Sequence, residues 1–481
     1  MSRIAPAFAR AASRRVAAVA TPVPALPQPM SRDRYAPVTA SMLAVLVLLM
    51  IVPEGFDYRA LADGDAPSVG TTGSRLLWLT LLGAGSLAML LRLTPLRRMA
   101  SHLNLALPLF VLLVATSITW SDDPPVTARR LIRLVTILVC TSAVVLVGWH
   151  PRRFQALLRP LLTGVLIASL IFGLAWPSLA IHPDTDGVLM NAWHGLANHK
   201  NGLGDIASIA LILWMHALLS GERRWSHFAV GSGIALACLL LSRSSTSMVA
   251  TAFTLLMMTL LLRTPPSLRI YLPYLVAAFV AALLTYSLAV LDLVPGLGLL
   301  LKPLTMITGK DLSFTGRTEI WEIVTEHIAR SPWHGSGYGA YWTGVHEGTP
   351  SYELVTRLGF YPASAHNGYL EVLNDLGIAG LLILAAYLLT FVRQALRLLA
   401  YDRTQACLYL ALFLQQAIVN LSESRWFSSL TVDFVIMTLA TVSIARALLD
   451  QRWQRRRRSA MTGNSAAGSR SMPAEAVHAP H

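Results

Sequence analysis

FTGRTEIWEIVTEHIARSPWHGSGYGAYW (Phe314–Trp342), SYELVTRLGFYP (Ser351–Pro362) and SAHNGYLEVLNDLGIAG (Ser364–Gly380) stand out from a chain that is otherwise mostly apolar. They belong to one long polar interruption, about Val294 to Glu371, with a run of apolar segments before it and three more after it. That contrast decides the fold. The apolar segments read as lipid-embedded helices, and the interruption reads as the segment they hold at a membrane face, where the chemistry is expected.

Composition agrees. Of 481 residues, 54% are hydrophobic and only 13% charged, with mean hydropathy +0.55. A soluble domain carries about 25% charged residues. Half that fraction, spread over many apolar stretches, means a polytopic membrane protein. The net charge of +14 does not point to nucleic acid, because the arginines gather at helix ends and tails without a recognition motif. Cys140, Cys238 and Cys407 all fall in apolar stretches and read as packing residues, with no zinc spacing.

Twelve spans are expected: about 38–53, 76–92, 103–118, 131–148, 157–176, 203–220, 227–242, 246–262, 270–293, 374–392, 404–421 and 429–447. With both termini cytoplasmic, about 26 of the 39 basic residues fall inside and 13 outside, as a positive-inside bias requires. The expected organisation is a disordered basic cytoplasmic tail (1–36), helices one to nine (37–293), a large periplasmic loop (294–371), helices ten to twelve (372–448) and a second disordered basic tail (449–481). Residues 1–36 lack an apolar core long enough for a signal peptide. The RRRR run of the second tail is expected against anionic headgroups.

Polar groups beside spans are costly and mark sites or pairs. Those of interest fall on the outward side: His194, His199, Lys200, Asn201 and Asp205 in HGLANHKNGLGD, Arg243 in LSRSSTS, Arg317, Arg330 and Arg357 in the large segment, His366, and Arg425 on the last outer loop. Each has a plainer reading. Arg243 can snorkel or cap a helix, Lys200 can anchor at the interface, and Arg330 and Arg357 read better as solvated charges. No HExxH-like spacing supports metal at the histidines. Residues 317–330 read as an amphipathic helix with Ile320, Trp321, Val324 and Ile328 on one face. It starts at a Ser313 or Thr315 cap and lies on the membrane surface with Trp321 at headgroup depth. Arg317 in its first turn suits an anion. Tyr338, Tyr341 and Trp342 suit a sugar platform or an interfacial belt equally. His366, at the mouth of the tenth span beside Asn367 and near Glu371, is placed for general base work, the natural role of a histidine at neutral pH.

Five pieces in order, NHKNGLG (198–204), LSRSSTS (241–247), GRTEIW (316–321), SPWHGSGYGAYW (331–342) and AHNGYLEVLNDLGIAG (365–380), resemble the bacterial O-antigen ligase and O-antigen or exopolysaccharide polymerase family. The resemblance covers roughly 190–390. It implies an all-α, GT-C-like membrane protein of about twelve helices, with short amphipathic helices in one periplasmic loop. It also implies a bacterial inner-membrane glycosyltransferase that uses no metal or other cofactor. Its donor would be a glycan on undecaprenyl pyrophosphate, and its acceptor a glycan or lipid A core. Membrane lipids and other polysaccharide assembly proteins are the further partners expected, and nucleic acid is not. Carried onto this chain, the catalytic set is His366, Arg317 and Arg243. The substrate-binding set is Lys200, His199, Asn201, Tyr338, Trp342 and Asn367. Within the family, HKNGLGD and AHNGYLE resemble the exopolysaccharide-type polymerases, so polymerisation by an inverting displacement is the first expectation, with ligation to lipid A core and protein O-glycosylation as alternatives. A multi-pass transporter is the reading outside it.

Overall fold

The structure is a computed structural model describing residues 33–53, 57–59, 71–183, 189, 191–271, a few positions within 274–285, 317–427 and 430–468. Every extended element among them is helical, apart from one isolated bridge between Ile181 and Trp193. In chain order the main helices are α1 (Ala36–Ile51), α2 (Thr72–Leu90), α3 (Leu93–Ala100), α4 (Ala106–Ser117), α5 (Pro124–Leu146), α6 (Arg153–Ala175) and α7 (Lys200–Leu219). They continue as α8 (Trp225–Leu241), α9 (Ser245–Arg263), α10 (Arg317–Arg330), α11 (Tyr352–Leu358), α12 (Gly368–Leu399), α13 (Arg403–Val419) and α14 (Val432–Gly468).

Six of these, α2, α6, α7, α9, α12 and the first part of α14, are long and apolar enough to cross a membrane. The apolar helices α1, α4 and α8 are shorter. With α5 and α13 they coincide with eleven of the twelve expected spans. The remaining one, 270–293, lies almost wholly outside the described residues, as do Ser313 and Thr315. The three cysteines are buried among the helices. One expectation changes at the C-terminus. Helix α14 runs on to Gly468 rather than ending near 447. A formed helix extends cheaply through residues with good propensity, and QRWQRRRRSAM is rich in them.

The centre of the bundle is α7, with α13 and α14, and it is packed by small and polar residues as much as by leucines. Ala207, Ala210 and Ala217 are fully buried. A Cβ on Gly204 would meet that of Ser244 at 2.8 Å, so α7 and the start of α9 touch closely. Hydrogen bonds Thr251 to Ser208 (2.6 Å) and Gln416 to Asp433 (2.7 Å) join helices side by side. In hydrocarbon such close backbone approach and side-chain bonding replace the hydrophobic drive that water would supply.

The polar segment is fastened to the bundle by a break in α12. Gly377 adopts φ 62, ψ −162, and the chain from Pro332 to Gly337 lies against the opened turn. Ile378 N–H donates to Pro332 O (2.8 Å), while Ser336 and Gly337 N–H donate to Asn374 O (3.1 Å) and Asp375 O (3.0 Å). Backbone groups freed by the break are thereby satisfied, as burial demands. The apolar face of α10 does not lie on lipid. Trp321 is buried and its indole N–H donates to Ala365 O (2.7 Å). Ile320, Ile323, Val324 and Ile328 pack with it against Tyr341, Leu354 and Leu370. The correction has a simple cause: the face is apolar in either setting, but the indole N–H finds a carbonyl on the protein.

Gly377 occupies backbone territory almost closed to other residues, and a Cβ there would sit 2.3 Å from the carbonyl carbon of Trp333. Gly377→Ala is therefore expected to destabilise the folded chain by roughly 1–3 kcal/mol or more. Thermal unfolding in detergent checks this. A variant melting like the wild type would show that the break is dispensable.

Candidate active site

Three helices begin at one carboxylate. Helix α7 starts from His199, whose side chain caps it by accepting from Asn201 N–H (3.3 Å). Helix α10 starts with Arg317. Helix α12 starts from Asn367, whose side chain accepts from Tyr369 (3.0 Å) and Leu370 (3.1 Å) N–H. All three converge on Glu423, in the loop between α13 and α14. Asn201 Nδ2 donates to Glu423 Oε1 (2.6 Å), Arg317 reaches the same oxygen (3.2 Å), and His366 Nδ1 lies 3.9 Å from Oε2. Arg317 also donates to the Ser422 carbonyl, and Arg425 stands 3.6 Å from Oε2.

Burial alone would favour a neutral Glu423. His366, Arg425 and Arg317 outweigh it and hold the carboxyl well down, at about 2. Arg425 is in turn held by Asp205 (3.1 Å). Burial works against its charge, but Asp205 and Glu423 keep the guanidinium above its ordinary range. Burial lowers Arg317, with Glu423 opposing. His199 is pushed down to about 3, mainly by burial, so it remains a neutral cap at physiological pH.

Lys200 and Arg243 complete the group. Lys200 is within electrostatic reach of Glu423, Arg243 and Arg317. Arg243 occupies the turn between α8 and α9 with left-handed backbone (φ 48) and an exposed side chain. His366 has left-handed backbone too (φ 49), and such strain in non-glycine residues concentrates at functional sites. The face thus gathers Arg317, Arg425, Lys200 and Arg243 against Glu423 and Asp205. Three helix N-termini add their partial positive charge. This arrangement suits a multiply charged anion.

A second carboxylate fixes the loops without touching the open side. Glu371 Oε2 accepts from Ala365 N–H (2.7 Å), next to His366, and from the Ser424 hydroxyl (2.8 Å), next to Glu423 and Arg425. Asn420 does similar work through its side-chain oxygen, which takes the N–H groups of Arg425 (2.8 Å) and Trp426 (2.6 Å).

Of the residues expected at the site, His366, Arg317, Arg243, Lys200, His199, Asn201 and Asn367 come together, His199 and Asn367 as helix caps. Tyr338 and Trp342 do not join them. Tyr338 is fully buried against Phe110, its hydroxyl donating to Phe427 O, and Trp342 packs edge-on to Tyr341 in the cluster under α10. The glycines explain this correction. Gly335, Gly337 and Gly339, all with positive φ, press against Asp375, Ser121 and Arg130, drawing the aromatics inward as packing rather than as a sugar platform. Arg330 and Arg357 are surface cations paired with Glu353 and Glu326. Glu423 was not among the expected residues. Its one local signal is a carboxylate two positions before Arg425, in a loop otherwise short of charge.

Comparison with known proteins falls on the same stretch. Residues 230–385, which contain Arg243, Arg317 and His366, match the family model described as O-antigen ligase. The chain is 32% identical over 311 residues to the exopolysaccharide production protein ExoQ of Rhizobium meliloti (strain 1021). That match covers 61% of this chain and 66% of the relative, just under two thirds of its length.

Glu423 has a folded pKa below its ordinary 4.5, so its stabilising charge is fully present above 4.5 and is lost as the pH falls toward about 2. Glu423→Gln is expected to melt lower than the wild type at neutral pH, with the gap narrowing through that window. Paired melting curves across pH test it, and a gap that stays constant would contradict the assignment.

Proposed function

Because residues 230–385 belong to the O-antigen ligase family, we propose that the chain transfers a glycan from undecaprenyl pyrophosphate to a sugar hydroxyl at the outer face of the bacterial inner membrane. The observation that carries this reading is the meeting of Arg317, His366, Asn201 and Arg425 at Glu423. Similarity to an exopolysaccharide production protein favours polymerisation as the reaction. The family description favours ligation to lipid A core as the second reading.

The chemistry needs three things: an anion cradle, a base and a fixed geometry. The departing lipid pyrophosphate is a stable anion, so cations and helix N-termini suffice to receive the charge that develops on it. Arg317 donates to Glu423 and to Ser422 O, which fixes its guanidinium charge at this face. Arg243 and Lys200 add charge from the facing helices.

His366 Nδ1 is buried on the Glu423 side, while the ring as a whole keeps 29% exposure. A proton on Nδ1 facing the carboxylate leaves Nε2 to accept the proton of an attacking hydroxyl. Glu423 would then stabilise the imidazolium that forms. One displacement with inversion follows, with the glycosidic bond to phosphate breaking as the new one forms. No metal takes part in this scheme. A transporter reading finds less support, since the clustered charges sit at one face rather than at mid-membrane.

His366→Ala is expected to reduce glycan transfer roughly 10²–10⁴-fold while membrane insertion is unchanged. Transfer is measured with a lipid-linked glycan in membrane vesicles, and an active variant would remove the base. In a deletion strain, polymerase loss leaves single lipid-linked repeats, whereas ligase loss leaves long lipid-linked chains. Normal lipid-linked glycan together with defective solute uptake would restore the transporter.

A further inference from the structure

A second polar feature lies at the other end of α12. From Gly368 to Arg393 the helix advances about 35–40 Å at 1.5 Å per residue, so its last turns sit at the face of the bundle opposite the Glu423 cluster. There a cavity of about 420 Å³ opens between α4 and α12, within the roughly 300–1,000 Å³ typical of ligand clefts. Leu105, Leu109, Ile383 and Ala386 line its apolar part, and Leu105 and Leu109 are well exposed. Arg393, Gln394 and Arg397 line its polar end.

Two observations mark that end as built for a ligand. Arg393 and Arg397 stand one helical turn apart, both exposed, with no ion pair among the described residues. Gln394 is only 6% exposed, and its Nε2 donates to His102 O (2.9 Å), yet its Oε1 is buried without any hydrogen-bond partner. An unpaired buried carbonyl is costly, and a ligand that brought a donor to it would relieve that cost.

We propose that this cavity binds an anionic glycerophospholipid whose headgroup carries hydroxyls, the chemistry of phosphatidylglycerol. The phosphodiester sits between the guanidinium groups of Arg393 and Arg397, whose planar forks suit phosphate oxygens. A headgroup hydroxyl donates to Gln394 Oε1. An acyl chain follows the leucines into the bilayer, where the exposed apolar wall already faces. This proposal is independent of the transfer chemistry at the opposite face.

Native mass spectrometry of the full chain, titrated with phosphatidylglycerol, phosphatidylmethanol and phosphatidylcholine, tests it. Phosphatidylglycerol is expected to be retained about tenfold or more better than phosphatidylcholine. The exposed pair Arg393→Gln with Arg397→Gln should bring it to the phosphatidylcholine level without altering the fold. Phosphatidylmethanol has the same charge but no hydroxyl and should fall between, and Gln394→Leu should erase only that last difference. Equal retention of phosphatidylglycerol and phosphatidylcholine, or wild-type retention by the arginine variant, would overturn the site. Phosphatidylmethanol bound as well as phosphatidylglycerol would overturn the Gln394 contact.

Discussion

A charge held away from water must find partners, and the Glu423 carboxylate shows what that requirement can organise. It is 6% exposed, and its contacts come from Asn201 on α7, Arg317 on α10, His366 before α12 and Arg425 in its own loop. Those residues span more than two hundred positions of the chain. Removing the carboxylate would strand buried cations, which costs more than a buried pair contributes in net terms. The constraint is therefore better understood as specificity than as strength, since it admits one mutual placement of four segments.

That placement is also what catalysis by electrostatics requires. Donors aimed in advance at a developing charge need no reorganisation when the reaction occurs, and the low dielectric of a membrane-edge site magnifies them. Glu423 contacts Arg317 and Arg425 themselves, whereas the Glu371 carboxylate and the Asn420 amide fix the backbone beside them. The left-handed backbone of Arg243 and His366 fits a surface in which side-chain direction has been bought with local strain.

The sequence disclosed whatever depends on local periodicity. Apolar runs located eleven of the helices, although α5, α12 and α14 run well past the expected bounds, and the pattern of Arg317–Arg330 marked α10 with its apolar face. What that face touches was not legible, because lipid and protein both accept Trp321. Only the carbonyl of Ala365 distinguishes them, and it lies 44 residues away. Tyr338 and Trp342 misled for the same reason: an aromatic beside glycines reads alike whether it lines a groove or fills a core. Glu423 went unseen since a lone acid in a short loop has no pattern. Its importance exists only through partners distant in the chain.

The break at Gly377 shows how one helix reconciles these demands. A continuous α12 would leave no unpaired carbonyls to receive residues 332–337, and the polar segment would lose its backbone bonds to this helix. Opening a single turn frees Asn374 O and Asp375 O, and Ser336 and Gly337 N–H take them up. The polar segment is thereby bonded to the helix whose N-terminal end carries His366, eleven residues before the break. Motion of that segment relative to the imidazole must then disrupt backbone hydrogen bonds in a buried setting. The glycine-rich loop serves the site through this docking, by fixing where α10 and Arg317 stand, and its aromatic rings need not touch a sugar for the loop to matter.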